Sequence, residues 1–335
     1  MKYPPITSFP PHANLLSVIL NYQESFEWFI SNYIQLICHK DLLEPTFRID
    51  FYQPSHWHYC PFILNYKITR DLLEKKWNKF SGFLIDCIDS DFYLMFNVDI
   101  FYVSIYKFAF GIEKKHSRHD VFIFGYDREN QTFDIADFFH KGKYTYKKVA
   151  FSEIEKGYDN LNMTGQYDYL NGIEMIKYQP HHALNRKFKF DINIPVRFIK
   201  EYLLSSNTSK RYDLSTIKNN DELIYGISIY NYLIDFLELI IAGKLGVNIL
   251  IRSIHVLYDH KMAMLHRIEY FVEHNYLKDG KHISNAYSNI VNRANKIRNL
   301  IIKYNLTKDT GIVHKIISEI RTLAAEEKEI LERML

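Results

Sequence analysis

The spacing of hydrophobic and polar positions changes near residue 190. Before that point, short runs of alternating apolar and polar residues are mixed with helical stretches. After it, apolar residues recur every three or four positions in segments 196–204, 221–242, 245–272, 282–304 and 308–335. Alternation is typical of strands, and the longer spacing is typical of helices. The sequence therefore predicts an α+β protein with a mixed domain over residues 1–190 and a mainly helical domain over residues 191–335.

Local patterns give more detail within the mixed half. Prolines in residues 4–11 favour an extended entry into an apolar helix that begins near Leu15. Further helices are predicted at 26–37, 68–80 and 151–158, and strands at 47–52, 92–99, 101–106, 144–149 and 188–194. In the helical half, the charged run at 326–329 is interpreted as a solvated helix face.

Residues 118–137 predict a β-hairpin with a titratable side chain at each outer end. Residues 121–124 are Val-Phe-Ile-Phe, residues 125–131 are rich in turn formers, and residues 132–136 alternate. If the strands pair antiparallel, His119 and Asp137 become neighbours. A carboxylate beside an imidazole fixes the tautomer, as in two of the three members of a nucleophile-activating triad. The alternative is an ordinary hairpin with a solvated histidine and aspartate at its ends.

Composition excludes several classes of protein. Apolar residues make up 47% of the chain and charged residues 24%, which is ordinary for a globular protein. A net charge of +3 is too small to indicate nucleic-acid binding. Cys38, Cys60 and Cys87 are too few and too irregularly spaced for a disulfide framework, which suits a reducing compartment. With no secretory segment and no membrane span visible, we expect a cytoplasmic protein without nucleic-acid or membrane partners.

Two histidine pairs suggest metal binding at first sight. His56 and His58 alternate along one stretch, and His181 and His182 are adjacent. His56 and His58 lack the further ligands that a structural metal site requires, since such a site usually has four. His181 and His182 are weak evidence, because adjacent residues on regular structure point apart. The sequence therefore predicts no metal site.

The order of these features resembles a papain-like Cys-His-Asp site. More specifically, it resembles the papain-like acyltransferases of natural-product and antibiotic biosynthesis, the butirosin type. That family has a His-Cys pair at its first core helix, then His, a hydrophobic run, Gly-Tyr-Asp, a turn and a strand closing on Asp. Here residues 12–16 stand in the first place, and residues 119–127 and 133–137 in the second. The match covers residues 5–160 and implies a papain-like cysteine-protease fold in the N-terminal half.

The resemblance implies an enzyme that forms an amide bond. It would transfer an acyl group from the phosphopantetheine thioester of an acyl or peptidyl carrier protein to a small amine. Its catalytic residues would be Ala13 at the nucleophile position, His119 as base and Asp137 as the residue that orients it. The phosphopantetheine arm belongs to the substrate, so no separate cofactor is expected. Basic residues near the site offer a surface for an acidic carrier protein; they are Lys114, Lys115, Arg118, Lys141 and Lys143. The alternative is that they are ordinary solvated loop residues. Self-assembly into a homodimer is also compatible with the sequence.

The chain departs from the family pattern at the nucleophile. Ala13 stands where the family has cysteine, through natural loss or deliberate replacement, and Thr7 stands where papain has its oxyanion-hole glutamine. Cys38 or Cys60 is an alternative nucleophile. Three other functions stay open: a catalytically inactive papain-like scaffold that binds a carrier protein, a cysteine peptidase or amide hydrolase, and a helical interaction module formed by residues 196–335.

Overall fold

A computed structural model gives the structure of the chain. It describes residues 1–42, 48–52, 60–106, 116–140, 142–161, 168, 170–179, 188–212, 222–245 and 251–335. Within these residues, helices combine with two antiparallel sheets. The expected α+β class is therefore confirmed, while the papain-like form of that class stays a prediction.

The chain divides into two compact units. The first consists of Met1–Pro4, Pro10–Gln23 and Ser55–Phe188, and the second of Pro5–Phe9, Glu24–Pro54 and Lys189–Leu335. The change at Phe188 lies next to the division that the sequence indicates at 190. Two earlier segments, however, group with the second unit rather than with the N-terminal half. The division into domains 1–190 and 191–335 stays a prediction about independent folding.

The described residues form nine strands and ten α-helices, together with short 3₁₀ helices. The strands are β1 (Leu36–His39), β2 (Ile49–Phe51), β3 (Ile63–Ile68), β4 (Phe92–Asp99), β5 (Arg118–Asp127), β6 (Thr132–His140), β7 (Lys143–Ala150), β8 (Ile173–Tyr178) and β9 (Leu223–Tyr225). The helices are α1 (Pro10–Ile19), α2 (Phe26–Ser31), α3 (Arg70–Glu74), α4 (Phe80–Asp89), α5 (Phe151–Asn160), α6 (Asn193–Leu203), α7 (Ile229–Ile241), α8 (Ile251–Glu273), α9 (Gly280–Thr307) and α10 (Thr310–Met334).

The first unit is built on a six-stranded sheet with the order β3-β8-β4-β5-β6-β7. On one face, alternate residues of β4 and β5 are buried against α4 and α5; they are Leu94, Phe96, Val98, Val121 and Ile123. Because side chains alternate across a strand, these residues all point to the same side. Burying each of them stabilises the unit by about 1.5–3 kcal/mol. This face therefore carries the main core of the first unit.

The opposite face of the sheet is aromatic and contacts α1. The rings of Phe138 and Tyr144 lie 5.6 Å apart there. The Tyr144 hydroxyl donates to Asn14 Oδ1 at 2.7 Å, which attaches the first turns of α1 to β7. Pro10 occupies the first helical position, where its missing N–H removes no helical hydrogen bond. The helix therefore begins five residues before the expected start at Leu15.

Five local predictions are wrong. One lies in the helical half, where the run expected at 221–242 begins with β9 and its helix starts only at Ile229. The helix expected at 26–37 ends at Ser31, and β1 takes the last residues of that run. The helix expected at 68–80 is only the short α3, with β3 before it and α4 starting at its last residue. The strand expected at 101–106 is replaced by helical turns. The strand expected at 188–194 is absent, because residues 188–191 have no regular structure and α6 begins at Asn193. Short apolar runs have no clear period, so they do not distinguish a strand from a helix.

The second unit combines the sheet β2-β1-β9 with the long helices α8, α9 and α10. The buried positions of α9 recur at three or four residues and include Ile283, Tyr287, Ile290, Ala294 and Ile297. This spacing produces one continuous apolar face, along which α9 contacts both α8 and α10. Among the helices that the structure describes, none is long and apolar enough to cross a membrane.

A fully buried ion pair lies among the helices of the second unit. Lys261 Nζ of α8 is 2.7 Å from Glu327 Oε1 of α10, and neither side chain is exposed. The hydroxyls of Tyr202, Tyr230 and Tyr287 donate to the same carboxylate at 3.0, 2.5 and 2.6 Å. We call these five residues the Glu327 cluster. A buried charge is tolerated only when it is paired and hydrogen-bonded, and both charges of this cluster meet that condition.

His260 extends the Glu327 cluster towards β1. Its Nδ1 accepts a hydrogen bond from Lys261 Nζ at 2.8 Å, and its Nε2 donates to the Ile34 carbonyl at 2.7 Å. A carbonyl can only accept, so Nε2 carries the hydrogen and the ring is neutral. Burial, with Lys261 nearby, keeps the pKa of His260 well below its usual value. The solvated face predicted for residues 326–329 is therefore wrong for Glu327.

A second hydrogen-bond network in this unit connects Thr7 with side chains of α8 and α9. The Thr7 N–H donates to Asp259 Oδ2 at 2.7 Å, and His255 Nε2 lies 2.9 Å from Thr7 Oγ1. Arg298 Nη1 lies 3.2 Å from His255 Nδ1. Arginine only donates, so Nδ1 accepts and Nε2 donates to the threonine hydroxyl. This tautomer cannot remove the hydroxyl proton, so the Thr-His-Asp arrangement does not activate Thr7 as a nucleophile.

The Asp259→Asn variant is expected to become more stable relative to the parent as the pH rises. Burial raises the pKa of Asp259 to about 7, above its value in an unfolded chain. The folded state therefore holds this proton more tightly, and stability is lost as the pH rises from about 4 to about 7. Between pH 5 and pH 8 the difference in unfolding free energy should change by about 3 kcal/mol. Urea unfolding at both pH values measures it.

The variant has to be compared with the parent because the titration of His255 changes the stability of the protein with pH in the opposite direction. Burial lowers its pKa to about 4, so its contribution to stability is lost as the pH falls from 6.5 through that value. Asp235→Asn, at an exposed position of α7, is the matched control, and this surface substitution should change the unfolding free energy by about 0.5 kcal/mol or less. The same pH profile for Asp259→Asn and the parent would show that Asp259 does not bind a proton on folding.

Candidate active site

The hairpin of β5 and β6 brings His119 and Asp137 together. His119 Nε2 lies 2.6 Å from Asp137 Oδ2, a short charge-assisted hydrogen bond. Phe122 of β5 pairs with Ala136 of β6. From this pair, Asp137 is one residue further along β6, and His119 is three residues back along β5. The imidazole reaches diagonally back to the carboxylate, which is within the range of cross-strand neighbours. The contact expected from the hairpin is therefore present, while its catalytic role stays a prediction.

The surroundings of Asp137 hold its carboxylate in one orientation. The side chain is 4% exposed, and Oδ1 accepts the backbone N–H of Phe138 at 2.7 Å. The ring of Tyr106 stands edge-on to His119, with 5.0 Å between centroids. Burial, followed by the charge of Asp137, raises the pKa of Tyr106 well above its usual value. The carboxylate is thus buried and oriented, while His119 at 25% exposure can be reached from solvent.

The orientation of His119 decides which ring nitrogen could exchange a proton with a substrate. Asp137 accepts from Nε2, so this nitrogen carries the hydrogen and Nδ1 is the basic nitrogen of the neutral ring. Protonation at Nδ1 would leave an imidazolium beside the Asp137 carboxylate, which stabilises it. The pair can therefore take up a proton at Nδ1 and return it.

A second His-Asp pair lies at the same end of the paired strands β4 and β5. His116 Nδ1 is 2.7 Å from Asp99 Oδ2, and Asp99 Oδ1 accepts the N–H groups of Phe101 and Ser117 at 3.0 and 3.1 Å. Asp99 is fully buried, and His116 is 41% exposed. Sequence reasoning missed this pair. The signal was an aspartate at the end of a predicted strand and a histidine just before the next one.

Ala13 lies in the first turns of α1 and is completely buried. The next residue, Asn14, accepts the Tyr144 hydroxyl on β7. Asp137 pairs directly with Thr145, so alternation turns Tyr144 to the opposite face from Asp137. The start of α1 is therefore attached to the face opposite the one that carries Asp137.

The strand register places His119 on the same face as Asp137. His119 pairs with Val98 on β4, and Val98 belongs to the core that α4 and α5 cover. The Tyr106 ring beside His119 belongs to that core as well. The structure thus brings together two of the three predicted catalytic residues, His119 and Asp137. Residue 13 as the nucleophile position stays a prediction.

The alternative nucleophiles are poorly suited to that role. Cys38 and Cys60 are buried, and burial raises the pKa of each thiol to about 12. A nucleophilic cysteine needs a low pKa, because the thiolate is the reactive form. Thr7, at the place of the papain glutamine, uses its N–H and hydroxyl in the bonds to Asp259 and His255.

Part of the predicted carrier-protein surface can be located. Arg118 at the start of β5 and Lys143 at the start of β7 are exposed. Lys114, Lys115 and Lys141 lie outside the described residues, as do both histidine pairs, 56/58 and 181/182. In the parts of the chain that are described, His, Cys, Asp and Glu side chains form no group of three that could hold a metal ion.

Comparison with known proteins does not identify the chain. No protein-family model matches it, and a comparison with curated proteins gives no match either. Its function therefore has to be argued from the chemistry of the site, because a fold class alone does not define an activity.

Proposed function

We propose that the protein is a papain-like acyltransferase that forms an amide bond. It would take an acyl group from the phosphopantetheine thioester of a carrier protein and pass it to a small amine. The observation that carries this proposal is the 2.6 Å contact between His119 and Asp137, on a hairpin that follows a buried helix. This is the order of elements in the acyltransferases that the sequence resembles.

The pair has the proton chemistry that both half-reactions need. In the first, the nucleophilic cysteine, which the resemblance assigns to position 13, would give its proton to His119 and attack the thioester carbonyl. The bond to the phosphopantetheine sulfur breaks, and that thiol leaves with the proton. In the second, the amine attacks the enzyme thioester, gives its proton to His119, and the cysteine leaves as a thiol. Asp137 would stabilise the imidazolium at each stage.

A second candidate function is a catalytically inactive protein that binds a carrier protein. Two observations favour it. Ala13 has no side chain that could attack a thioester, and the start of α1 is attached to the sheet face opposite Asp137. In this function, His119 and Asp137 would stabilise the hairpin rather than transfer protons.

Intact-protein mass spectrometry of the Ala13→Cys variant tests the proposal. We expect a mass gain equal to the acyl group after incubation with acyl-carrier thioesters, and its loss when a small amine is added. The chain with Ala13 should show no gain. Ser17→Cys is the matched control, because Ser17 is buried on the same helix. The three native cysteines should contribute little, since burial raises the pKa of each to about 12.

The outcomes separate the candidate functions. Release of the acyl group by water as readily as by amine would indicate a hydrolase. Absence of acylation, together with carrier-protein binding that is equal for the parent and the variant, would favour the inactive binding protein. Equal acylation of the position 13 and position 17 variants would contradict a specific nucleophile position.

A further inference from the structure

A cavity of about 350 Å³ opens at the other end of the six-stranded sheet from His119. Its walls include Tyr93 at the start of β4, Phe124 of β5, Tyr178 at the end of β8 and Tyr22 just after α1. His119 pairs with the far end of β4, at Val98. The cavity is thus separate from the His119–Asp137 pair, and its size falls within the range of small-molecule sites.

Three rings beside this cavity form a parallel stack. Phe62 and Tyr178 have an interplanar angle of 7° with 6.2 Å between centroids, and Tyr178 and Tyr22 have an angle of 4° with 3.4 Å. Tyr22 is 38% exposed, so part of its ring can be reached from solvent. Two electron-rich rings that overlap face to face repel through their quadrupoles. An electron-poor planar ring placed on Tyr22 would extend the stack more favourably than another tyrosine.

The polar groups at the cavity suit the edge of such a ring. Lys177 Nζ donates to the Ser90 carbonyl at 2.8 Å and is 3.5 Å from Asp91 Oδ2. Asp91 is 86% exposed, so its carboxylate can still accept hydrogen bonds from a ligand. The Tyr93 hydroxyl can donate or accept. Donors and acceptors therefore lie side by side, next to a flat aromatic surface.

The charges at the cavity disfavour ionic ligands. Lys177 lies 5.5 Å from the centre of the Phe92 ring, so a cation already occupies an aromatic face there. A second cation would be repelled by this ammonium group. An anion such as a phosphate would compete with Asp91 for Lys177 and would meet the repulsion of that carboxylate. A neutral ligand is the one that fits.

We propose that this cavity binds the planar heteroaromatic ring of a neutral nucleoside, stacked on Tyr22 with its polar edge towards Asp91 and Lys177. The stack supplies affinity for any flat ring, since stacking tolerates every base. The hydrogen-bonding edge selects a base over a plain aromatic ring. This site does not depend on the proposed acyl transfer.

Saturation-transfer NMR with adenosine, guanosine, cytidine and uridine tests the proposal, using the parent chain. We expect transfer to the base protons of at least one nucleoside, and weaker or no transfer to ribose, phenol and tetramethylammonium. Tyr22→Phe keeps the ring and should bind within about threefold of the parent. Tyr22→Ala should lose about tenfold or more of the affinity. The matched control is Tyr276→Ala, at an exposed tyrosine of the second unit.

A second variant keeps the test decisive if Tyr22→Ala does not fold. Asp91→Asn retains a residue that tolerates the left-handed backbone at this position, where φ is 65°. It should reduce the affinity for the preferred base and change the order of preference among the four nucleosides. No transfer to any nucleoside at millimolar concentration, or equal binding by the parent and Tyr22→Ala, would overturn the proposal. Stronger binding of ribose, phenol or tetramethylammonium than of every nucleoside would also overturn it.

Discussion

Replacing Glu327 with alanine should destabilise the second unit by about 3–5 kcal/mol. Removing the carboxylate leaves the Lys261 ammonium without its counter-ion in a site that water does not reach. The hydroxyls of Tyr202, Tyr230 and Tyr287 lose their acceptor in the same step. A loss of this size is a large fraction of the stability of a typical protein. Urea unfolding, followed by circular dichroism, measures it.

Two further variants separate a charge effect from a packing effect. Glu326→Ala removes the neighbouring carboxylate, which is 42% exposed and pairs with Arg293, and it should cost about 1 kcal/mol or less. The double variant Lys261→Met with Glu327→Leu removes both charges and should recover much of the lost stability. If Glu327→Ala cost no more than Glu326→Ala, the buried ion pair would not be important for stability.

Replacing Asp137 with asparagine in the Ala13→Cys background should lower the rate of acyl transfer by about 10⁴-fold. The expectation comes from the same replacement in a serine-protease triad, where the wrong histidine tautomer results. Here the new amide at position 137 could donate to Nε2 of His119, and Nδ1 would then carry the hydrogen. The nitrogen that should accept the cysteine proton would no longer be basic. Single-turnover acylation, measured against pH, tests this prediction.

The control for Asp137→Asn is Asp134→Asn on the same strand. Asp134 is 29% exposed and pairs with Lys148, away from His119. Its replacement should leave the acylation rate within about threefold of the Ala13→Cys chain, in line with the small effects of exposed ion pairs. Equal rates for the two asparagine variants would mean that Asp137 does not orient His119. The pair would then be a structural part of the hairpin.

The hairpin shows how far local sequence could predict the candidate site. The apolar run at 121–124 and the alternation at 132–136 specify two strands, and the turn between them sets their pairing. These local signals were enough to place His119 beside Asp137. The register shift between Ile123 and Gly125 was not predictable, because a bulge depends on packing against neighbouring strands.

The position of residue 13 relative to the site depends on tertiary structure. The sequence indicated a buried helix after a proline-rich entry, and α1 is such a helix. It could not indicate which face of the sheet this helix would contact. That contact includes the bond between Asn14 and Tyr144, residues that are 130 positions apart. No local pattern contains information about a contact of this range.

The second His-Asp pair and the Glu327 cluster are two further features that local sequence could not predict. Asp99 ends β4 and His116 lies just before β5, and only the pairing of these two strands makes them neighbours. Glu327 lies in a charged run that looks solvated, yet a lysine and three tyrosines from other helices enclose it. A residue's type shows whether it can be charged, but its neighbours in space decide whether that charge is buried.

The sequence by itself determined the α+β class, the long C-terminal helices and the hairpin that joins His119 to Asp137. Each of these follows from periodicity or from turn residues within about 30 positions, where local forces dominate. Only the tertiary structure decided the sheet order, the face that α1 contacts, the buried Lys261–Glu327 pair and the aromatic cavity beside Tyr22. These features come from contacts between distant segments, whose energy depends on how whole faces pack together.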